Sequence, residues 1–161
     1  MSDGGHIDDE LHFDYLVYGR PISMQLISRG SGKKPKKAAA LPAWRDTIRD
    51  AAREAWDAYS KEFFIDPLRL DVFWIYDEGN ANDPDLDNIV KPFIDSLEGL
   101  LFELDSAIRE MHLFKFSLRE DKLIGVNADK LIEAFASNRE FIYVRVTPIK
   151  RDTIRVVSFV R

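Results

Sequence analysis

The chain has 161 residues, 45% of them hydrophobic and 32% charged, with a formal net charge of −5 and no cysteine. That length and balance predict one globular domain able to bury its own core. They exclude disulfides and thiolate metal sites, so any metal must be held by oxygen or imidazole. No apolar run approaches the ~18 residues of a membrane span, and the acidic N-terminus does not read as a secretory leader, so the cytoplasm is the expected location.

Residues 1–11 read as a disordered acidic tail, and residues 12–161 as a single domain. His12 to Tyr18 is apolar and aromatic enough for a first strand. A long loop follows, marked by Gly19, Pro21 and the run GSGKKPKK from Gly30 to Lys37, and its basic part spans 29–40. From Trp44 to Tyr59 the pattern is helical, with Trp44, Ile48, Ala51, Ala52, Ala55 and Tyr59 on one stripe. Leu68 to Tyr76 alternates as a strand, Leu70, Val72 and Trp74 on one side and Asp71, Phe73 and Ile75 on the other.

After a loop with Gly79, Asn80, Asn82 and Pro84 comes DLDNIVKPFIDSLEGLLF, which reads as a helix. Pro92 is tolerated only near a helix N-terminus, which puts the start at about Asp87 or Asn88, both good caps. Arg109 to Leu118 reads as a strand, Asn127 to Ser137 as a short helix, and Phe141 to Thr147 and Thr153 to Val160 as strands. The alternation predicts an α+β domain: helices packed on a mixed β-sheet in layers.

Charge is segregated along the chain. Arg20 to Arg53 holds nine basic and two acidic residues, whereas Asp77 to Asp105 holds nine acidic residues and one lysine, Lys91. A negative total is not the usual footprint of nucleic-acid binding. Even so, an enzyme that cuts DNA needs both kinds of region, cations for phosphates and carboxylates for a hard metal ion.

The densest acidic cluster is DPDLDN, Asp83 to Asn88, at a strand–loop–helix junction. Before a helix, Asp85 and Asp87 can face one cleft, although within a regular helix residues two apart do not. Asp105 would have to return from the loop or strand after the helix to meet them. Three such oxygen ligands around an open coordination position suit Mg²⁺ or Mn²⁺, which polarises a phosphate and acidifies a bound water. Lys91 lies one turn from both Asp87 and Asp95 and would stabilise transition-state charge. The plainer account is a capped helix with surface ion pairs. His112 on a strand, and Trp44, Trp56 and Trp74 on core stripes, read as structural.

The stretch D-L-D-N-I-V-K-P-F-I-D-S-L, Asp85 to Leu97, resembles the signature of the RusA family of Holliday-junction resolvases, and the similarity continues through Gly99, Phe102-Glu103 and Asp105-Ser106 to Lys115. Gly19 to Ser23 and Trp44-Arg45 are similar too. Leu104 stands where the family commonly carries an acid, and Ala107 where it carries glutamine. The resemblance implies a RusA-like mixed-sheet domain and a homodimer that nicks branched DNA with Mg²⁺ (or Mn²⁺). It implies Asp85, Asp87 and Asp105 as metal-binding catalytic acids and Lys91 as a catalytic or DNA-contacting lysine. Lys33, Lys34, Lys36, Lys37 and Lys115 are the further DNA-contacting candidates. Two alternatives stay open: a non-cleaving DNA- or partner-binding module on the same fold, and a nuclease for other nucleic acids. The apolar run Phe93 to Phe102 exceeds what one helix face requires, and is expected, in this helix or an adjoining strand edge, to serve a dimer interface.

Overall fold

The structure is a computed structural model, and it describes residues 12–22, 35–59, 62–78, 84–119 and 129–149; for residues 35–39 it describes the backbone alone. Among the described residues four strands form one mixed sheet: β1 (Phe13–Tyr18), β2 (Leu68–Tyr76), β3 (Ile108–Ser117) and β4 (Phe141–Pro148). The spatial order is β1-β4-β2-β3. β4 pairs antiparallel with both β1 and β2, and β3 runs parallel to β2. Three helices among the described residues pack on this sheet: α1 (Pro35–Tyr59), α2 (Leu86–Leu97) and α3 (Asp129–Ala136). This is the α+β layered arrangement that the sequence predicts. Among the described residues no helix is long and apolar enough to cross a membrane.

The two faces of the sheet are unequal. Phe13, Tyr15 and Val17 of β1, Leu70, Val72 and Trp74 of β2, and Ile142, Val144 and Val146 of β4 form the main core with α1 and α2. On the opposite face α3 lays Leu131 and Ala134 over Ile75, Phe141 and Tyr143. The inner strands β2 and β4 are buried on both faces, which is why their sequences run nearly continuously apolar, while β1 alternates. Trp44, Trp56 and Trp74 are all core residues. His112 lies 2.8 Å from the buried Asp71, which also accepts a hydrogen bond from Arg69 at 3.2 Å.

The bounds of α1 and α2 differ most from the sequence reading. Helix α1 begins at Pro35, nine residues before Trp44, and continues through Pro42. Pro35 occupies the first helical position, where a missing N–H costs nothing. Pro42 looks like a stop only until its neighbours are placed: Leu41 and Trp44 are both buried in the main core, and that packing offsets the lost bond. Helix α2 starts at Leu86 with Asp85 as N-cap, and ends at Leu97 rather than continuing to Phe102. Arg49 of α1 stops it there, donating from Nη1 to the carbonyls of Ser96 at 2.9 Å and Glu98 at 3.0 Å. Gly99 then takes a left-handed φ of 71°, and its N–H reaches the Phe102 carbonyl at 2.8 Å.

That early stop changes the meaning of the apolar run. Phe93, Leu97, Leu101 and Phe102 are buried in the main core, and Ile94 and Leu100 pack against it. A helix followed by a tight turn presents two surfaces inward, so the run is internal rather than surplus. The predicted strand at Thr153 to Val160 lies outside the described residues.

Asp14 ties α3 to the sheet. Its carboxylate accepts hydrogen bonds from Lys130 of α3 and from the Tyr143 hydroxyl. Burial works to raise its pKa, but the two hydrogen bonds and the Lys130 charge outweigh it and hold the carboxyl below the ordinary carboxylate range. A depressed folded-state pKa stabilises the protein above the unfolded value, and that stabilisation fades as pH falls through the folded one. Asp14→Asn should therefore lower Tm at neutral pH, and the gap from wild type should close at the acid end of the stable range, near and below pH ~4. Tm scans of both proteins over a pH series measure this, and a gap that is constant with pH would remove Asp14 from this role.

Candidate active site

The acids stand where β2 hands over to α2 and where the chain comes back towards β3. Asp85 is the N-cap residue of α2 in extended conformation, yet its side chain makes no capping hydrogen bond. The first turn closes through the backbone instead, with Asn88 N–H donating to the Asp85 carbonyl at 3.1 Å. Asp87 sits in the first turn. Both carboxylates are exposed, and the partial positive charge of a helix N-terminus makes this a favourable place for negative charge. Asp105 opens a short 3₁₀ turn, Asp105–Ala107, directly before β3, and is exposed as well.

Lys91 projects from the middle of α2, and its ammonium donates to Asp95 Oδ1 at 2.7 Å. That hydrogen bond, with the Asp95 charge, raises the Lys91 pKa above the ordinary lysine range; the charge of Asp105 adds to the effect, and Arg45 opposes it. Lys91 is therefore a fixed cation within electrostatic reach of Asp105. Of its two helical neighbours it engages Asp95 and not Asp87. Asp95 takes a second cation across the helix–helix contact: Arg45 Nη2 of α1 donates to Oδ2 at 2.6 Å.

Among the described residues, no group of three or more histidines and acids lies close enough to hold a metal ion. The three acids are thus separate carboxylates and not a closed cage. Their chemistry still suits a hard cation: they are exposed oxygen donors whose carboxylates make no hydrogen bond or ion pair among the described residues. Mg²⁺ commonly takes one or two protein carboxylates and completes its shell with water and substrate phosphate. Asp83 lies outside the described residues.

The remaining sequence candidates fall elsewhere. Lys115 is on β3 with its ammonium 4.6 Å from the Trp74 ring centre and 4.5 Å from that of Tyr76, a packed cation–π position. Lys36 and Lys37 belong to the first turn of α1, their side chains beyond the described set, and Lys33 and Lys34 lie outside the described residues. A cleft of about 600 Å³ beside the 3₁₀ turn is lined by Phe63, Ile65, Leu104 and Arg109 among others, and by none of the three acids. Sequence reasoning missed the bridge from Asp95 to Arg45. The Lys91–Asp95 spacing was readable, but the partner on α1 depends on how two helices cross.

Among curated proteins no sequence matches the chain significantly. A family model does match, that of endodeoxyribonuclease RusA, over residues 27–126, a span that contains Asp85, Asp87, Lys91 and Asp105. The chain belongs to the RusA endodeoxyribonuclease family.

Proposed function

We propose that this chain is a metal-dependent endodeoxyribonuclease that nicks Holliday junctions or other branched DNA, working as a homodimer with Mg²⁺ or Mn²⁺. The observation that carries this reading is the state of the acids. Asp85 holds a capping position without capping, and Asp85, Asp87 and Asp105 are exposed with no hydrogen bond or ion pair made by their side chains among the described residues. A carboxylate that stabilised this fold would be capping or paired.

Asp85, Asp87 and Asp105 are the residues that would hold a divalent cation, which would supply charge neutralisation at the phosphate and an acidified water. The chain's own residues do the rest. Lys91 stays charged at any physiological pH, and it stands ready to stabilise the negative charge that builds on the phosphate oxygens. The domain proposed for this work is 12–161, with residues 1–11 as an acidic tail. Lys33, Lys34, Lys36, Lys37 and Lys115 would add phosphate contacts. Two symmetric nicks in one four-way junction call for two sites on a two-fold axis, hence a second chain. With the run Phe93 to Phe102 internal, the strand-edge alternative remains for that interface: β3, on one edge of the sheet, exposes Met111 and Phe114.

A second reading, a non-cleaving DNA-binding module, draws on the separation of the acids and on the exposed Leu104 at a position where a family acid is expected. One experiment decides between them. Labelled four-way, Y-shaped and linear DNA are incubated with the protein in Mg²⁺, Mn²⁺ or EDTA, and its mass is measured by light scattering. Paired nicks in the four-way DNA, dependent on metal, from a protein of two-chain mass are expected. Binding without cleavage would establish the second reading, equal cutting of linear DNA would remove junction selectivity, and a one-chain mass with cleavage intact would remove the dimer.

A further inference from the structure

We infer that Arg45 is a phosphate-binding residue of this site, and that Asp95 is a positioning residue that holds Arg45 and Lys91 as a pair of cations across the α1–α2 contact. The inference rests on the nuclease reading above and extends it to two residues that reading does not use.

The geometry is specific. One carboxylate takes one cation on each oxygen, Lys91 Nζ on Oδ1 at 2.7 Å and Arg45 Nη2 on Oδ2 at 2.6 Å. The two cations come from different helices, so only the packing of α1 on α2 sets them side by side. Their formal sum with Asp95 is +1, in a region where Lys91 is the single base among nine acids in Asp77 to Asp105. A DNA phosphate approaching Asp85, Asp87 and Asp105 is repelled by each of them. Arg45 brings in from α1 the second positive charge that this approach needs.

A role confined to stability fits the same atoms less well. The Lys91 side chain is 56% exposed and that of Arg45 35%, and ion pairs so open to solvent contribute little to folding. What a shared carboxylate does achieve is to fix two long side chains that would otherwise sample many rotamers. Arginine adds geometry to charge, since its planar group carries several donors in a fixed fork that matches a phosphate edge-on.

The test uses the full chain and a four-way DNA junction. Binding is measured in Ca²⁺ over a salt series, and single-turnover cleavage is measured in Mg²⁺. Arg45→Ala should flatten the dependence of log K on log salt by about 0.9, one phosphate contact. Arg45→Lys should restore the slope but not the full rate. Asp95→Asn removes a negative charge, so it should bind DNA at least as tightly as wild type while cleaving at least about tenfold more slowly. Arg45→Gln, of similar length and uncharged, repeats the slope measurement should the alanine variant fold poorly by thermal melting. An unchanged slope in the Arg45 variants, or a wild-type rate in Asp95→Asn, overturns the inference while wild-type cleavage keeps the nuclease reading intact. Wild-type protein that binds but does not cut fails the nuclease reading alone, and the Arg45 slope still decides the phosphate contact. Wild-type protein that does not bind DNA ends both.

Discussion

Asp85→Asn, Asp87→Asn and Asp105→Asn should each cut junction cleavage in Mg²⁺ by at least about a hundredfold, the scale lost when support for a catalytic ion is removed. Binding in Ca²⁺ should hold or tighten, because each change deletes a negative charge that faces phosphate. Stability should barely move. Asparagine caps a helix as well as aspartate, and the Asp85 carboxylate makes no capping bond to lose. Asp87→Asn forgoes only its interaction with the helix terminus, about 0.3–1 kcal/mol. Cleavage rate, junction affinity and Tm measured on the same preparations separate these effects. A variant with a near wild-type rate removes its residue from the site, and a rate lost together with Tm would mark a structural residue.

Trp74→Ala should be the most damaging single core change. The ring is fully buried on β2, its Nε1 donates to Glu140 at 2.7 Å, and Lys115 rests over its face. Truncating a buried tryptophan costs about 3–5 kcal/mol through lost transfer energy and the cavity left behind. Against a total stability of about 5–15 kcal/mol for a domain, that populates the unfolded state substantially. Trp74→Phe keeps most of the apolar volume and loses the donor to Glu140, so it should cost less, about 1–3 kcal/mol. Urea unfolding gives both numbers, and an alanine variant within 1 kcal/mol of wild type would show that the sheet does not depend on this ring.

What could be read from the sequence was set by period and local chemistry. The apolar and aromatic runs of β1 and β2, the start of α2 beside Asp85, and the extents of β3 and β4 are all local patterns, and the structure places them within a residue or two. The errors share a cause. Pro42 suggests a helix boundary until Leu41 and Trp44 are seen buried, and Leu97 to Phe102 suggests more helix until Arg49 arrives from α1 to take the Ser96 and Glu98 carbonyls. In each case a partner distant in sequence outweighs a local preference. The site follows the same rule. Asp85, Asp87 and Lys91 are legible because one helix start carries them, whereas the link from Asp95 to Arg45 spans 50 residues and appears only when two helices touch.

Between Tyr76 and Ile108 the chain leaves β2 and returns to run parallel beside it. A parallel return needs a long excursion, here one built around a helix. Asp85, Asp87, Lys91, Asp95 and Asp105 all ride on that single excursion, whereas Arg45 lies outside it. They are therefore gained and lost together. What fastens the excursion to the sheet is mainly apolar: Ile89, Val90, Phe93 and Leu97 of α2, and Leu101 and Phe102 after it, are seated in the main core. If this segment lifts as one cooperative unit, the free energy of opening is set chiefly by the apolar side chains that it seats in the core and not by Asp85, Asp87 or Asp105. Amide protons along α2 would then report whether a molecule is competent to cut.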